Sequence, residues 1–210
     1  VSKIKAVIFD MDGVLVDAKD WHYDALNRSL GLFGMEISRY DHLVTYDGLP
    51  TVNKLSMLSL ERGLPEELHE FINDMKQQYT MEIIHAKCKP KFYHEYALSK
   101  LASDGYKMSV ASNSIRDTVD IMMKKSALDQ HLEFSISNED VSNGKPDPEM
   151  YQLTMKKLGL MPNECMIVED NENGIKAAIA SKAWVMKVEN VEEVNYFNIK
   201  KNIKFFEGKM

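Results

Sequence analysis

The segment KAVIFDMDGVLVD, residues 5–17, constrains this chain more than any other. Ile4, Ala6, Val7, Ile8 and Phe9 form an apolar, β-branched run that reads as a short strand buried on both faces. The run stops at Asp10, with Asp12 and Gly13 directly after it. Burying unpaired carboxylates is costly. A buried strand that delivers two acids at its carboxyl end is therefore building a site, and that end is where open α/β sheets place their ligands.

Beyond Asp17 the period changes from strand to helix. Trp21, Ala25, Leu26, Leu30 and Phe33 recur at helical spacing, and Val52, Leu55 and Leu58 resume the stripe after a turn at Asp47-Gly48-Leu49-Pro50. Gly63-Leu64-Pro65 breaks the chain before a long amphipathic helix carrying Leu68, Phe71, Ile72, Met75, Tyr79 and Ile83. Residues 18–87 hold no strand candidate, far too long for a βα connection of ~2–6 residues. They read as an inserted helical subdomain, closed by Lys87-Cys88-Lys89-Pro90. From there helices and strands alternate: strands over 107–111, 134–137, 165–168 and 184–188, and a last edge strand over 203–206. A helix over 149–158 stops at Gly159 after two lysines, a C-terminal signature. Such alternation implies an α/β fold, a doubly wound parallel sheet, with a core formed by residues 1–17 and 88–210.

Several function classes are disfavoured. The net charge of −6 and the lack of a basic stripe speak against nucleic acid as a partner. No apolar run reaches ~18 residues, so no membrane partner is expected. The first strand starts at the head of the sequence, leaving no room for a leader. Cys88 and Cys165 have no CxxC or metal spacing and suit a reducing, cytoplasmic setting. The 14 methionines read as core filler.

Four short motifs sit where strands end. In Asp10-Met11-Asp12-Gly13, residues two apart in extended chain point the same way, so both acids can face one pocket, and Gly13 lets the chain turn. One acid can be nucleophile and the other proton donor and acceptor. Ser112-Asn113 are favoured helix caps, so a helix starting here would aim its free N–H groups at an anion such as phosphate. In Gly144-Lys145-Pro146-Asp147-Pro148 two prolines stiffen the loop and make Lys145 a fixed positive charge. Glu169-Asp170, with Gly174 beyond, would repel each other unless a cation sits between them. With Asp10 they form an oxygen-rich set of the kind Mg²⁺ prefers.

In this order the four motifs resemble the haloacid dehalogenase superfamily: DxD, then Ser or Thr, then Lys, then paired acids. The helical insertion after the first motif looks like that family's small cap. GKPDPEMY and VEDNENGI look closest to its β-phosphoglucomutase and phosphoglycolate phosphatase-like branch. The resemblance implies a Rossmann-like core and Mg²⁺-dependent phosphoryl transfer. Asp10 would form an aspartyl-phosphate, and Asp12 would protonate the leaving oxygen and then activate water. Ser112, the Asn113 N–H and Lys145 would hold phosphoryl oxygens. Asp10, Asp170, Glu169 and the Asp12 main-chain carbonyl would bind the metal, and the cap would exclude water and contact substrate. The partner would be a small phosphorylated metabolite, and the protein a monomer.

Within that family the acid at Asp12 disfavours dehalogenases and phosphonate hydrolases. Mutases of the branch carry cap cations in a K-G-x-S-R segment, whereas this chain has Asp47 and Thr51 at the cationic positions. A phosphatase acting on a sugar, polyol or amino-alcohol phosphate is the expectation, a sugar phosphomutase the alternative, and a non-catalytic phosphate-ligand binder a second. His22 falls where mutase-like relatives place a histidine near the hinge. Lys54 and Lys76 fall on cap helices, where they could reach substrate, although charged cap residues are usually solvated, and His42, His69, His85, His94 and His131 read as surface or structural.

Overall fold

The computed structural model describes residues 3–46 and 48–209. Its sheet has five parallel strands: β1 (Ala6–Phe9), β2 (Lys107–Ala111), β3 (Phe134–Ile136), β4 (Cys165–Glu169) and β5 (Trp184–Lys187), in the order β3-β2-β1-β4-β5. β1 is the centre, with Phe9 in register with Val110 of β2 and Val168 of β4. Paired on both edges, it has all its residues buried, as its unbroken apolar run requires.

The helices are α1 (Lys19–Gly31), the one-turn α2 (Arg39–Asp41), α3 (Thr51–Arg62), α4 (His69–Lys87), α5 (Phe92–Ser103), α6 (Arg116–Lys125), α7 (Glu149–Leu158), α8 (Glu172–Ala180) and α9 (Tyr196–Glu207). Ala6 and Ile8 of β1 share a core with Met150, Tyr151 and Met155 of α7 and Ala177 and Ala178 of α8. Strand alternation sends Val7 and Phe9 to the opposite face, where both are also fully buried. The sheet is thus covered on both sides, the doubly wound arrangement expected from the alternation of elements. Gly159 ends α7 in the left-handed conformation at φ 68°, which the lysine-lysine-glycine signature anticipated.

The chain divides into two compact units. One combines the segment up to Asp17 with that from Lys89 onward and contains the sheet. The other, Ala18–Cys88, is built from α1 to α4 around Leu26, Leu30, Ile37, Tyr46, Leu55, Leu58, Leu64 and Ile72. Asp47, one of the two residues standing at the mutase cation positions, lies outside the described residues.

Three expectations are corrected. Residues 203–206 are not an edge strand but the end of α9, which Asn195 caps by accepting from the Asn198 N–H at 3.0 Å. A four-residue apolar run cannot separate strand from helix. The buried Ile199, Ile203 and Phe206 recur at helical spacing, and the cap settles the matter. Lys54 and Lys76 are not solvated: each keeps only 8% of its surface exposed, and neither is without a partner. The third correction, the start of α6, belongs to the site. Among the described residues no helix is long and apolar enough to cross a membrane.

Candidate active site

β1 carries Asp10 to the carboxyl edge of the sheet, where the Asp10 N–H donates to the Val168 carbonyl of β4 at 3.0 Å. The chain then folds back tightly. Gly13, at φ 88°, donates to the Val16 carbonyl at 2.7 Å, and Leu15 and Val16 both donate to Met11 at 2.9 Å. This turn carries Asp12 back beside the sheet, where its Oδ2 accepts from the Ser114 hydroxyl at 3.1 Å.

Ser112 stands at the end of β2, its N–H donating to the Ile136 carbonyl of β3 at 3.0 Å. The expected helix start at Ser112-Asn113 is corrected: α6 begins at Arg116. The Ser112 hydroxyl instead accepts from the Ser114 N–H at 3.1 Å, a local turn that competes with capping for the same side chain. Asn113 serves another purpose. Its Oδ1 accepts from the Lys145 N–H at 2.9 Å and its Nδ2 donates to the Lys145 carbonyl at 3.2 Å, clamping the lysine's backbone from both sides. A Cβ on Gly144 would stand 2.7 Å from Asn113 Oδ1, so the glycine lets the clamp close.

Lys145 is buried, and its Nζ lies 2.5 Å from Asp10 Oδ1 and 2.7 Å from Glu169 Oε1. Glu169 ends β4 with no exposed surface. Its Oε1 also accepts from the Tyr151 hydroxyl, and its Oε2 from the Asp170 N–H at 3.2 Å. Asp10, Glu169 and Asp170 can each offer an oxygen within 4.8 Å of the others. No histidine or cysteine joins this cluster among the described residues.

The electrostatics follow from that crowding. Burial first, then Glu169, Asp170 and Asp12, push the Asp10 carboxyl well above the usual carboxylate range, with Lys145 the opposing influence. Burial alone would lower the Lys145 ammonium, but Asp10 and Glu169 outweigh it and hold it above its ordinary value. Burial, then Glu169 and Asp10, push the Tyr151 phenol well up, so it stays protonated and donates. One ammonium among Asp10, Asp12, Glu169 and Asp170 leaves the site short of positive charge. Hard oxygen donors with excess negative charge fit a divalent cation such as Mg²⁺.

The structure thus gathers Asp10, Lys145, Glu169 and Asp170 into one cluster, and ties Asp12 to the Ser112 loop through Ser114. Two participants escaped the sequence reading. Ser114 differs from the singled-out Ser112 only by two positions. Tyr151 lay inside the quoted GKPDPEMY, yet nothing in linear spacing ties it to Glu169.

A parallel sheet with a buried carboxylate–ammonium cluster at its central strand ends defines a Rossmann-like α/β enzyme. The chain belongs to the haloacid dehalogenase-like hydrolases, the family that matches residues 7–188. It is therefore a hydrolase. It is 27% identical over 178 residues to a phosphorylated carbohydrates phosphatase of Thermotoga maritima, covering 83% of this chain and 80% of that one. It is 23% identical over 201 residues to the pyrophosphatase PpaX of Bacillus velezensis, covering 88% and 86%. Its fold is similar to that of a crystallised β-phosphoglucomutase of Clostridium difficile, with TM-score 0.83, 20% identity and coverage of 98% and 99%.

Proposed function

We propose that this protein is a phosphatase that hydrolyses a small phosphomonoester (a sugar, polyol or amino-alcohol phosphate) through an aspartyl-phosphate on Asp10. The observation that carries the reading is the Lys145 ammonium held between Asp10 and Glu169 at 2.5 and 2.7 Å, on a loop clamped by Asn113. Phosphoryl transfer needs placed charge more than elaborate covalent help, and a fixed ammonium beside the proposed nucleophile supports this reading.

In the first step an Asp10 oxygen attacks phosphorus, the ester P–O bond breaks, and the leaving oxygen takes a proton from the Asp12 carboxyl. In the second, Asp12 accepts a proton from water, the water oxygen attacks phosphorus, and the Asp10–phosphorus bond breaks to release phosphate. Ser114 orients Asp12 for both transfers by donating to its Oδ2. Ser112, the Asn113 N–H and Lys145 are assigned the other phosphoryl oxygens. Mg²⁺ held by Asp10, Glu169, Asp170 and the Asp12 carbonyl would supply the positive charge that offsets the phosphoryl oxygens. The helical unit is assigned substrate selection, with the protein acting as a monomer on a metabolite, in the cytoplasm. The Thermotoga relative's name supports a phosphorylated carbohydrate as substrate.

The test is phosphate release from a panel of sugar, polyol, amino-alcohol and nucleotide phosphates and pyrophosphate, with and without Mg²⁺, beside Asp10→Asn. Release that needs both Mg²⁺ and Asp10 is expected. Isomerisation of β-glucose 1-phosphate without release would overturn the reading in favour of a mutase. Binding of inorganic phosphate without any turnover would favour a non-catalytic binder.

A further inference from the structure

The phosphatase reading makes Glu169 one metal donor among several, yet the protein already occupies its carboxylate. Oε1 accepts from Lys145 Nζ and from the Tyr151 hydroxyl, and Oε2 from the Asp170 N–H. We infer that Tyr151 is a positioning residue: its hydroxyl fixes the Glu169 carboxylate where it holds the Lys145 ammonium against Asp10. The inference rests on the phosphatase reading and deepens it.

Tyr151 touches both ends of this relay. Beyond the bond to Glu169, its ring lies beneath the lysine, with Lys145 Nζ 4.8 Å from the ring centroid. The residue has no exposed surface, so the hydroxyl is not there for solvent. Packing does not require it either, because a phenylalanine would fill the same space among Met150, Met155, Ala177 and Ala178. The segment that carries Tyr151 is stiff. Glu149 at the start of α7 accepts from the Ser142 and Asn143 N–H groups at 2.9 Å each, and its own N–H donates to Asp147 Oδ1 at 2.9 Å. A tyrosine anchored this way can hold a carboxylate through a catalytic cycle without touching substrate.

The experiment is a double-mutant cycle of Tyr151→Phe and Glu169→Ala, which removes the acceptor, read as kcat/KM for phosphate release below the unfolding temperature of every variant. Losing one hydrogen bond to a charged acceptor should cost Tyr151→Phe about tenfold in an otherwise unchanged protein. In the Glu169→Ala background the same substitution should cost less than about twofold, since Tyr151 acts through Glu169. A second readout needs no turnover. Acylation of Lys145 by acetic anhydride, followed by peptide mass spectrometry, should rise several-fold in Tyr151→Phe, while that of Lys200, held by Asp104 and Tyr106, stays constant. Equal losses in both backgrounds, or unchanged Lys145 labelling, would overturn the inference. A protein inert toward every ester would sink the phosphatase reading, and the labelling alone would then decide the role of Tyr151.

Discussion

Gly174→Ala should destabilise this protein although it replaces the poorest ordinary helix former with the best. The position is the third residue of α8, where alanine gains about 1 kcal/mol by propensity. A Cβ there, however, would stand far inside van der Waals contact of all three carboxyl atoms of Glu169. Glu169 has nowhere to move: it is fully buried, and Lys145, Tyr151 and the Asp170 N–H hold its two oxygens. α8 must shift outward, an overpacking cost of about 1–3 kcal/mol, and the carboxylate must surrender a charged hydrogen bond worth about 1.5–3 kcal/mol. Subtracting the propensity gain from the two together leaves a net loss of about 1.5–5 kcal/mol. In a chain of this size that lowers Tm by roughly 3–20 °C. Activity should fall with it at temperatures where the variant is folded, because the displaced carboxylate is the one that holds Lys145. Thermal and urea unfolding against Gly31→Ala make the comparison. Gly31 ends α1 with nothing within 4 Å of an added Cβ, so its substitution should be neutral or stabilising. A Gly174→Ala protein as stable and active as the parent would refute the reasoning.

Two further outcomes follow from the geometry. Ser114→Ala removes the donor that orients Asp12, so turnover of alkyl phosphates, whose leaving oxygen needs a proton, should drop about tenfold. Read as kcat/KM, which reports the first transfer alone, p-nitrophenyl phosphate, with a leaving group stable as the anion, should be nearly unaffected, and equal losses in kcat/KM for both would show that the serine does not act through Asp12. His94 on α5 is buried with Nε2 bonded to the Val191 carbonyl at 2.9 Å, and burial lowers its pKa to about 4 despite that bond. Its folded pKa lies below the unfolded value of about 6.5, so the unfolded chain takes up the proton first as pH falls. The stability tied to the neutral ring is therefore complete above pH ~6.5 and lost on acidification toward pH ~4, a change of about 3 kcal/mol. Urea midpoints across that window should fall more steeply for the parent than for His94→Gln, and matching slopes would count against the role given to His94.

The catalytic core was legible wherever burial leaves its mark on consecutive residues. Strands paired on both edges and covered on both faces are dominated by apolar residues, so β1, β2 and β4 announce themselves. Polar residues directly after such strands are forced to the carboxyl edge of the sheet, which is why Asp10, Ser112 and Glu169-Asp170 could be picked out in order. The edges of that legibility are equally physical. The run 203–206 is too short to carry a period, and α9 is decided by Asn195 and by packing at Ile199. Ser112 can cap a helix or close a turn with the same oxygen, and only the fold selects between them. Two lysines of the helical unit read as solvated and are buried, because burial of a charged side chain depends on what the chain brings around it.

The sequence by itself determined the parallel α/β core, the helical insertion, and the identity and order of the acids at the strand ends and of the loop lysine between them. Each of these is written in local chemistry: an apolar run, a turn residue, a charge at a boundary. Tertiary structure alone decided how those groups are wired. Asn113 clamps Lys145 across 32 residues, Ser114 reaches Asp12 across 102, and Tyr151 meets Glu169 across 18, in a space that exists only because Gly174 lacks a side chain. Side chains that distant meet only when strands pair and helices dock on the sheet, and no spacing along the chain encodes a hydrogen bond made between separately packed elements.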